Sequence, residues 1–289
     1  MKTVLLTGGA GSVGRDLALL HLQQGDRVRI FDLPHLDFSF ADGWSNAEVI
    51  KGDIADSPAV RAAVKGVDAV VHLAALLPPA SERSRDRTQA VNVGGTAVLV
   101  DAILRESPGT RLVHSSSVST YGNTTRSTPP VEVGHPQSAL DLYAESKIDG
   151  EKLIISSAVR YTILRISGIA IPAFLEPPSP WPFKREQRME FVNRQDVVQS
   201  LFAASHRSDI ANKILNIAGG SSWQMLGQEY IEQFYKVMDI PVEEARYMDA
   251  PGWFDWYDTA EAQAILGFQE TIFPEFLALL KKAVDDALG

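Results

Sequence analysis

The chain has 289 residues, 45% hydrophobic and 22% charged, with a formal net charge of −9 at pH 7. That length and composition suit a globular protein with a full hydrophobic core, and the negative charge argues against nonspecific nucleic-acid binding, which needs a basic surface. There is no cysteine, which removes disulfides, thiolate metal sites and thiol nucleophiles, so no metal is expected.

Met1 leads almost directly into Val4-Leu5-Leu6, a short apolar run of strand length. Neither a signal peptide nor a membrane helix is expected, and the expected location is the cytoplasm. Thr7-Gly8-Gly9-Ala10-Gly11-Ser12-Val13-Gly14 follows, and then Arg15 to Gln24 reads as a helix with Leu17, Leu20 and Leu22 on its apolar face. Strand, glycine turn and helix in this order form the setting of a dinucleotide-binding turn. Glycine permits the tight turn and a close backbone approach, and the helix N-terminus offers free N–H groups and a positive dipole end to phosphates.

Asp26 to Asp32 is a second strand ending in an acid, about 20 residues on, where a ribose-binding carboxylate is expected. Asp32 would accept from both ribose hydroxyls and repel a 2′-phosphate, favouring NAD over NADP. Glu48 to Ile54 reads as a third strand and Pro58 to Lys65 as a short helix. Asp68 to Ala75 is a nearly continuous apolar strand, as in the middle of a parallel sheet. Asn92 to Arg105 is helical, Arg111 to Ser116 a strand, Leu140 to Ala158 a long helix, and Tyr161 to Arg165 a further strand. The alternation predicts an α/β doubly wound parallel Rossmann sheet.

After Arg165 the pattern changes. The proline-rich stretch Ile171 to Pro182 is unsuited to regular helix. Asp196 to Ala204, Met225 to Met238, Thr259 to Leu266 and Phe273 to Leu288 read as helices, and Lys213 to Ile217 as a strand. We expect a Rossmann domain over residues 1–170 and a small mixed C-terminal substrate lobe over 171–289, interleaved because the last sheet strand and helices return.

Tyr143 and Lys147 are four residues apart on a predicted helix and share a face. An ammonium near a phenol lowers its pKa toward working pH, so such a tyrosine exchanges a proton with an alcohol or carbonyl while hydride moves at a nicotinamide. Ser115-Ser116-Ser117 closes a strand at the carboxyl edge, where open parallel sheets bind ligands. A hydroxyl there would hold the substrate oxygen.

Together these stretches resemble the extended short-chain dehydrogenases/reductases of the NAD-dependent epimerase/dehydratase family. The resemblance rests on Thr7 to Gly14, Asp32, Gly52-Asp53-Ile54, His72 to Ala75, Asn92 with Gly95-Thr96, Ser115 to Ser117 with Tyr121-Gly122, and Tyr143 with Lys147. Arg165 and Asp196 sit where the family has a strand-end arginine and a helix-start aspartate. The match spans roughly the first two hundred residues. It implies Tyr143 as acid/base, Lys147 as its tuner and a ligand of the nicotinamide ribose, and Ser117 as partner of the reacting oxygen. It implies NAD binding by Gly8, Gly11, Ser12, Val13 and Gly14 at the phosphate turn, Asp32 at the ribose, Asp53 and Ile54 beside adenine, and Leu73, Ala74, Ala75 and Ser115 along the cofactor. Asn92 is included with a supporting structural role, whereas His72 reads as a packing residue. A homodimer through the helices at 92–105 and 140–158 is expected by analogy.

The substrate is less defined. Dehydratases of this family carry Thr-Asp-Glu where this chain has Ser115-Ser116-Ser117, which disfavours water elimination. Nucleotide-sugar enzymes usually have an Asn soon after the Arg165 position and an arginine where Met189 falls. Lys184, Arg185 and Arg188 are candidates for an anion site, and Trp181, Phe183, Trp223, Trp253, Phe254, Trp256 and Tyr257 for stacking or, more commonly, core packing. Three readings remain: a dehydrogenase or reductase acting on a secondary alcohol or ketone of a sugar- or polyol-like molecule, a nucleotide-sugar 4-epimerase resembling UDP-glucose 4-epimerase with recycled NAD, and a non-catalytic dinucleotide sensor.

Overall fold

A computed structural model describes residues 1–289. In chain order it contains β1 (Thr3–Thr7), α1 (Ser12–Gln23), β2 (Arg27–Asp32), β3 (Ala47–Lys51), α2 (Ser57–Val64), β4 (Ala69–His72), α3 (Arg85–Thr88), α4 (Gly95–Glu106), β5 (Arg111–Ser117), α5 (Leu142–Ser156), β6 (Arg160–Ile166), β7 (Gly168–Ala170), β8 (Arg188–Met189), β9 (Phe191–Asn193), α6 (Arg194–His206), β10 (Lys213–Ile217), β11 (Met225–Leu226), α7 (Gly227–Met238), α8 (Ala260–Leu266) and α9 (Phe273–Leu288). A π-helical turn at Gln89–Gly94 joins α3 to α4. No helix is long and apolar enough to cross a membrane.

Seven strands form one sheet in the order β10-β6-β5-β4-β1-β2-β3. The pairs β1–β2, β2–β3, β1–β4 and β4–β5 are all parallel, with Leu5 opposite Arg29 on one side and Val70 on the other. Apolar residues fill β1 and β4 because both faces of the sheet are covered; Val4, Leu5, Leu6 and the whole of β4 are buried. Strand order reverses between β1 and β4, so the crevice at their carboxyl ends is the topological switch point where such sheets take ligands.

The chain divides into two compact units. The first comprises Met1–Ser117, Asp141–Arg165 and Val198–Leu215, and the second Val118–Leu140, Ile166–Val197 and Asn216–Gly289. The chain passes between these units at five points between Ser117 and Asn216. The core of the first unit packs Leu5, Phe31, Val70, Leu99, Leu112 and Ile163 against one another. The second unit is built on aromatic packing: Trp181, Phe183, Trp223, Phe254, Phe273 and Phe276 belong to one buried cluster. Trp181 meets Tyr230 and Phe234 edge-on, at 5.8 and 5.6 Å between ring centres. Core packing is therefore what most of the aromatic concentration provides. Tyr257 belongs to a second buried group with Tyr121, and only Trp253 and Trp256 of the seven keep partial exposure.

Sequence reading ended the β4 strand at Ala75 and began the next helix at Asn92. The strand stops at His72, and residues 73–75 turn away as loop. The helix is preceded by α3 and the π-helical turn, whose extra residue per turn no simple periodicity reveals.

The β1–α1 turn is built by close approach. Gly8 has φ +70°, and a Cβ there would lie 2.7 Å from Ala74 N. A Cβ on Gly14 would lie 2.6 Å from Gly8 O and 2.7 Å from Gly9 Cα, whereas one on Gly11 meets nothing nearer than 3.3 Å. We therefore expect Gly14→Ala to lower unfolding free energy by about 2 kcal/mol or more, in the range of overpacked sites. Gly11→Ala should cost well under half of that, and urea unfolding of the two variants side by side measures the difference.

Candidate active site

At the carboxyl ends of β1, β2 and β4, a cavity of about 410 Å³ opens. Its lining includes Gly8, Gly11, Asp32, Asp53, Ile54, Leu73, Ala74 and Ala75, all anticipated from the sequence. Helix α1 starts beside it with Gly11 as N-cap, no side-chain cap and no acid in its first turn. Ser12, Val13 and Gly14 form that first turn rather than the cavity wall. Their N–H groups belong to the helix end that favours an anion.

Backbone groups pin the Asp32 carboxylate. Ala10 N–H donates to Oδ2 at 3.0 Å and Leu33 N–H to Oδ1 at 2.9 Å. Each oxygen keeps acceptor capacity for a further donor, so the carboxylate presents two acceptors to a vicinal diol. Its neighbours Leu33 and Leu36 are apolar, and the nearby Arg15 turns instead to Ala10 O, Asp37 O and the Phe40 ring. The open cradle at Gly8, the uncapped helix and this carboxylate fit the pyrophosphate and ribose of a dinucleotide. The cavity also includes Phe31, Leu33, Leu36, Leu76 and Arg87. Sequence reasoning missed these because they flank the motifs without belonging to them.

Asn92 serves the cavity from outside it. Its Oδ1 accepts from Leu76 N–H at 2.7 Å, while Nδ2 donates to Leu76 O at 3.1 Å and Ser146 Oγ at 2.9 Å. The amide thus fixes the backbone of Leu76, which lines the cavity. Ser146 Oγ donates in turn to Tyr143 O at 2.7 Å. His72 joins the same network. Thr96 Oγ1 donates to Asn92 O at 2.6 Å, so it accepts from His72 Nε2–H at 2.9 Å, and His72 Nδ1 accepts from Thr7 Oγ1 at 2.7 Å. Burial lowers the His72 pKa to about 3, so the ring stays neutral and acts as a fixed link.

Tyr143 and Lys147 lie one turn apart in α5. The helix start is tied down by three carboxylate bonds: Glu82 accepts from Leu142 N–H at 3.0 Å and Tyr143 N–H at 3.1 Å, and Asp141 accepts from Ala144 N–H at 2.7 Å. Glu82 is 60 residues away in sequence and carries no motif, which is why sequence reading passed over it. Lys147 is buried and donates from Nζ to Ser115 O at 2.8 Å. Ser115 thus acts here through its carbonyl. The ammonium lies 5.5 Å from the Tyr143 ring centre.

The expectation that Lys147 depresses the Tyr143 pKa meets a different balance. Burial first, and the Asp141 charge second, push the phenol upward, so it holds its proton. Burial likewise lowers Lys147 to about 8, with Glu151 acting in the opposite direction. Ser117 ends β5 and is buried. The first unit therefore brings Ser117, Tyr143 and Lys147 onto adjoining elements, β5 and α5.

Beneath them is a buried ion pair. Glu151, one turn beyond Lys147, accepts from Arg165 Nη2 at 2.6 Å and Nε at 3.0 Å, and from Ser116 Oγ at 2.5 Å. It joins α5, β5 and β6 in one polar node. In the second unit, Arg188 is committed to Asp255 at 2.5 and 2.9 Å, and Arg185 Nε donates to Gln228 Oε1. Asp196 accepts from Thr271 N–H and Oγ1, and burial raises its pKa to about 6.

A model of the NAD dependent epimerase/dehydratase family matches residues 4–174. The 3 beta-hydroxysteroid dehydrogenase/Delta 5-->4-isomerase of Mycobacterium tuberculosis is 33% identical over 158 residues, covering 53% of this chain and 42% of that protein. The D-erythronate dehydrogenase of Cupriavidus necator is 34% identical over 164 residues, covering 52% of this chain and 49% of that protein. The chain thus spans about half the length of these curated relatives or less. A short-chain dehydrogenase/reductase superfamily protein from Agrobacterium tumefaciens, solved with bound NAD, superposes with a TM-score of 0.80 at 24% identity, covering 99% of this chain and 98% of that one. That likeness shows the fold.

Replacing Glu151 by Gln leaves Arg165 buried without its counter-charge. Unfolding free energy should fall by about 3–5 kcal/mol, the cost of breaking a buried pair from one side. Arg165→Met in the Glu151→Gln background should restore part of it in a double-mutant cycle. Glu151 also supplies the charge that raises Lys147, so its loss should move the alkaline limb of ligand binding from about pH 8 to lower pH. A pH titration of dinucleotide affinity reads that shift.

Proposed function

The chain belongs to the NAD dependent epimerase/dehydratase family, and we propose that it is an NAD-dependent oxidoreductase acting at a secondary alcohol or ketone of a sugar- or polyol-like small molecule. The observation that carries the cofactor choice is Asp32, held by two backbone amides with acceptor capacity left on each oxygen. Such a group favours a ribose diol and repels a 2′-phosphate. Gly8, Gly11 and the start of α1 would hold the pyrophosphate, and Asp53, Ile54 and Leu73 to Ala75 would line the adenosine half. NAD supplies the hydride acceptor or donor.

The chain supplies the proton. Burial pushes the Tyr143 phenol upward, which suits its protonated form to give a proton to a carbonyl; in the other direction the phenolate would take the alcohol proton. Ser117 Oγ would orient the same oxygen. Lys147 brings a positive charge to one end of the pair, anchored on Ser115 O. A non-catalytic sensor would have no use for this set. D-erythronate dehydrogenase, whose name gives a polyol-like substrate, supports the substrate class through its 34% identity. The engagement of Arg188 by Asp255 weighs against a nucleotide-sugar diphosphate at that arginine. We place the protein in the cytoplasm, in sugar metabolism, as a homodimer joined through α4 and α5, where Leu104 and Ile155 are exposed.

The test is to denature the purified protein and assay the supernatant for NAD, then to screen free sugars, polyols and hydroxy acids for NADH production. Net NADH from such a substrate supports the reading. Retained NAD with no net redox on any of them would overturn it in favour of internal hydride recycling. Tyr143→Phe should lower kcat by about 10³ while leaving the NAD Kd within about 3-fold; collapse of NAD binding would make Tyr143 structural. Asp32→Ala should weaken NAD by about 10–100-fold, the loss of a charged hydrogen-bond acceptor, and relax discrimination against NADP. An unchanged preference would remove Asp32 from the ribose site.

A further inference from the structure

At the other end of the sheet, away from the cavity, three side chains from distant parts of the chain converge. His21 is on α1, Asp26 precedes β2, and His206 ends α6. Asp26 Oδ2 lies 3.0 Å from His21 Nδ1 and 2.8 Å from His206 Nε2. All three donor atoms lie within 4.8 Å of one another. His21 and Asp26 are buried, whereas the His206 side chain keeps 29% of its exposure, which gives water a route to the group.

The outward-facing nitrogens show which atoms point inward as lone pairs. His206 Nδ1 is 3.1 Å from Phe202 O. A carbonyl only accepts, so Nδ1 carries the hydrogen. Ser205 Oγ, also 3.1 Å from Nδ1, spends its own hydrogen on Phe202 O. A neutral His206 therefore turns a bare Nε2 toward the Asp26 oxygen, lone pair against lone pair. His21 Nδ1 faces the same Asp26 oxygen at 3.0 Å, and its Nε2 faces Ser205 Oγ at 3.5 Å. A histidine whose outer N–H is held by a carbonyl or hydroxyl while its inner nitrogen meets a carboxylate has the surroundings of a metal ligand.

Spacing agrees with that reading. The His21 and His206 ring centres are 5.3 Å apart. Two imidazoles on one tetrahedral ion, with Zn–N bonds of about 2.0–2.1 Å, have their ring centres roughly 5 Å apart. Tetrahedral donors at such bond lengths sit about 3.3 Å apart, so the 2.8 and 3.0 Å contacts to Asp26 Oδ2 would open by a few tenths of an ångström, and the two histidine donors lie within 4.8 Å of each other. Asp26 Oδ1 is already engaged by Lys2 N–H at 2.9 Å, which leaves Oδ2 to bind from one side. The nearest competing cation, Lys2, donates from Nζ to His206 O at 2.8 Å.

We propose that His21 Nδ1, Asp26 Oδ2 and His206 Nε2 bind one divalent cation of the zinc class, with water as fourth ligand, and that this ion clamps the end of α6 to α1. None of the three residues lines the dinucleotide cavity, so the role is structural and independent of the proposed activity. No metal was expected from the sequence, where the absence of cysteine removes thiolate sites. Here 185 positions separate His21 from His206.

The experiment uses untagged full-length protein stripped with EDTA. Cobalt(II) added alone should give the intense visible absorption of a tetrahedral site, saturating at one ion per chain. Zinc should bind at micromolar or tighter Kd and raise Tm by roughly 5 °C at a hundredfold excess over Kd. His206→Gln keeps a side-chain N–H for Asp26 and sits at the partly open position, so it should fold. It should lose the cobalt band and the zinc-dependent Tm rise while keeping its metal-free Tm within a few degrees of the parent. Absence of the band and of any Tm change with 100 µM zinc in the parent would overturn the proposal, leaving a cluster held by protons. An equal zinc response in His206→Gln would overturn it too, because the ion would then bind elsewhere.

Discussion

The close approach of the β1 turn to the end of β4 sets the rest of the site. A side chain at Gly8 would collide with Ala74 N, so only a backbone without Cβ lets the two strand ends meet where the strand order reverses. That contact opens the crevice at the carboxyl edge, aims the start of α1 into it and places Asp32, at the end of the neighbouring strand, across from the loop at residues 73–75. Gly14 does the same for the helix, whose first turn packs on Gly8 and Gly9. The glycines are therefore a packing requirement first, and the anion-binding helix end follows from it.

A second constraint runs from this crevice to the reactive helix. Thr7, His72, Thr96, Asn92, Ser146 and Tyr143 form a chain of hydrogen bonds through the first unit. Thr96 Oγ1 spends its hydrogen on Asn92 O, so it accepts from His72 Nε2–H, which is how the neutral tautomer of His72 is fixed. The chain begins at the last residue of β1 and ends at the backbone of the tyrosine. The end of β1 and the backbone of Tyr143 are thereby held in one largely buried polar network, whose mutual hydrogen bonds offset the cost of its burial.

Local pattern made much of this legible. Strand lengths, the glycine spacing, Asp32 and the Tyr143–Lys147 pair all lie within short windows, where periodicity and turn chemistry operate. The cavity wall at Asp53, Ile54 and Leu73 to Ala75 followed because it lies at strand ends. Glu82, Glu151 and the His21–Asp26–His206 group did not, because each depends on a contact across 14 or more positions, 185 between His21 and His206, with no spacing to mark it. The grip of the Asn92 amide on the Leu76 backbone was not legible, since a residue type does not say which way its side chain turns. The aromatic residues of the second half likewise needed the structure to show that most fill a core.

The electrostatics of α5 differ from a simple picture in which a lysine charge acts directly on a phenol. The Lys147 ammonium is directed at Ser115 O, and its own charge is costly because it is buried. Glu151 offsets that cost, yet Glu151 is itself engaged by Arg165 and Ser116, so only part of its field reaches Lys147. The outcome is a lysine lowered to about 8 and a tyrosine pushed upward, both moved toward their neutral forms by desolvation. Burial thus disfavours the charged form of both side chains. An added positive charge in the cavity would favour phenolate and loss of the lysine proton together, whereas a ligand hydroxyl bonded to the phenol would act on Tyr143 alone.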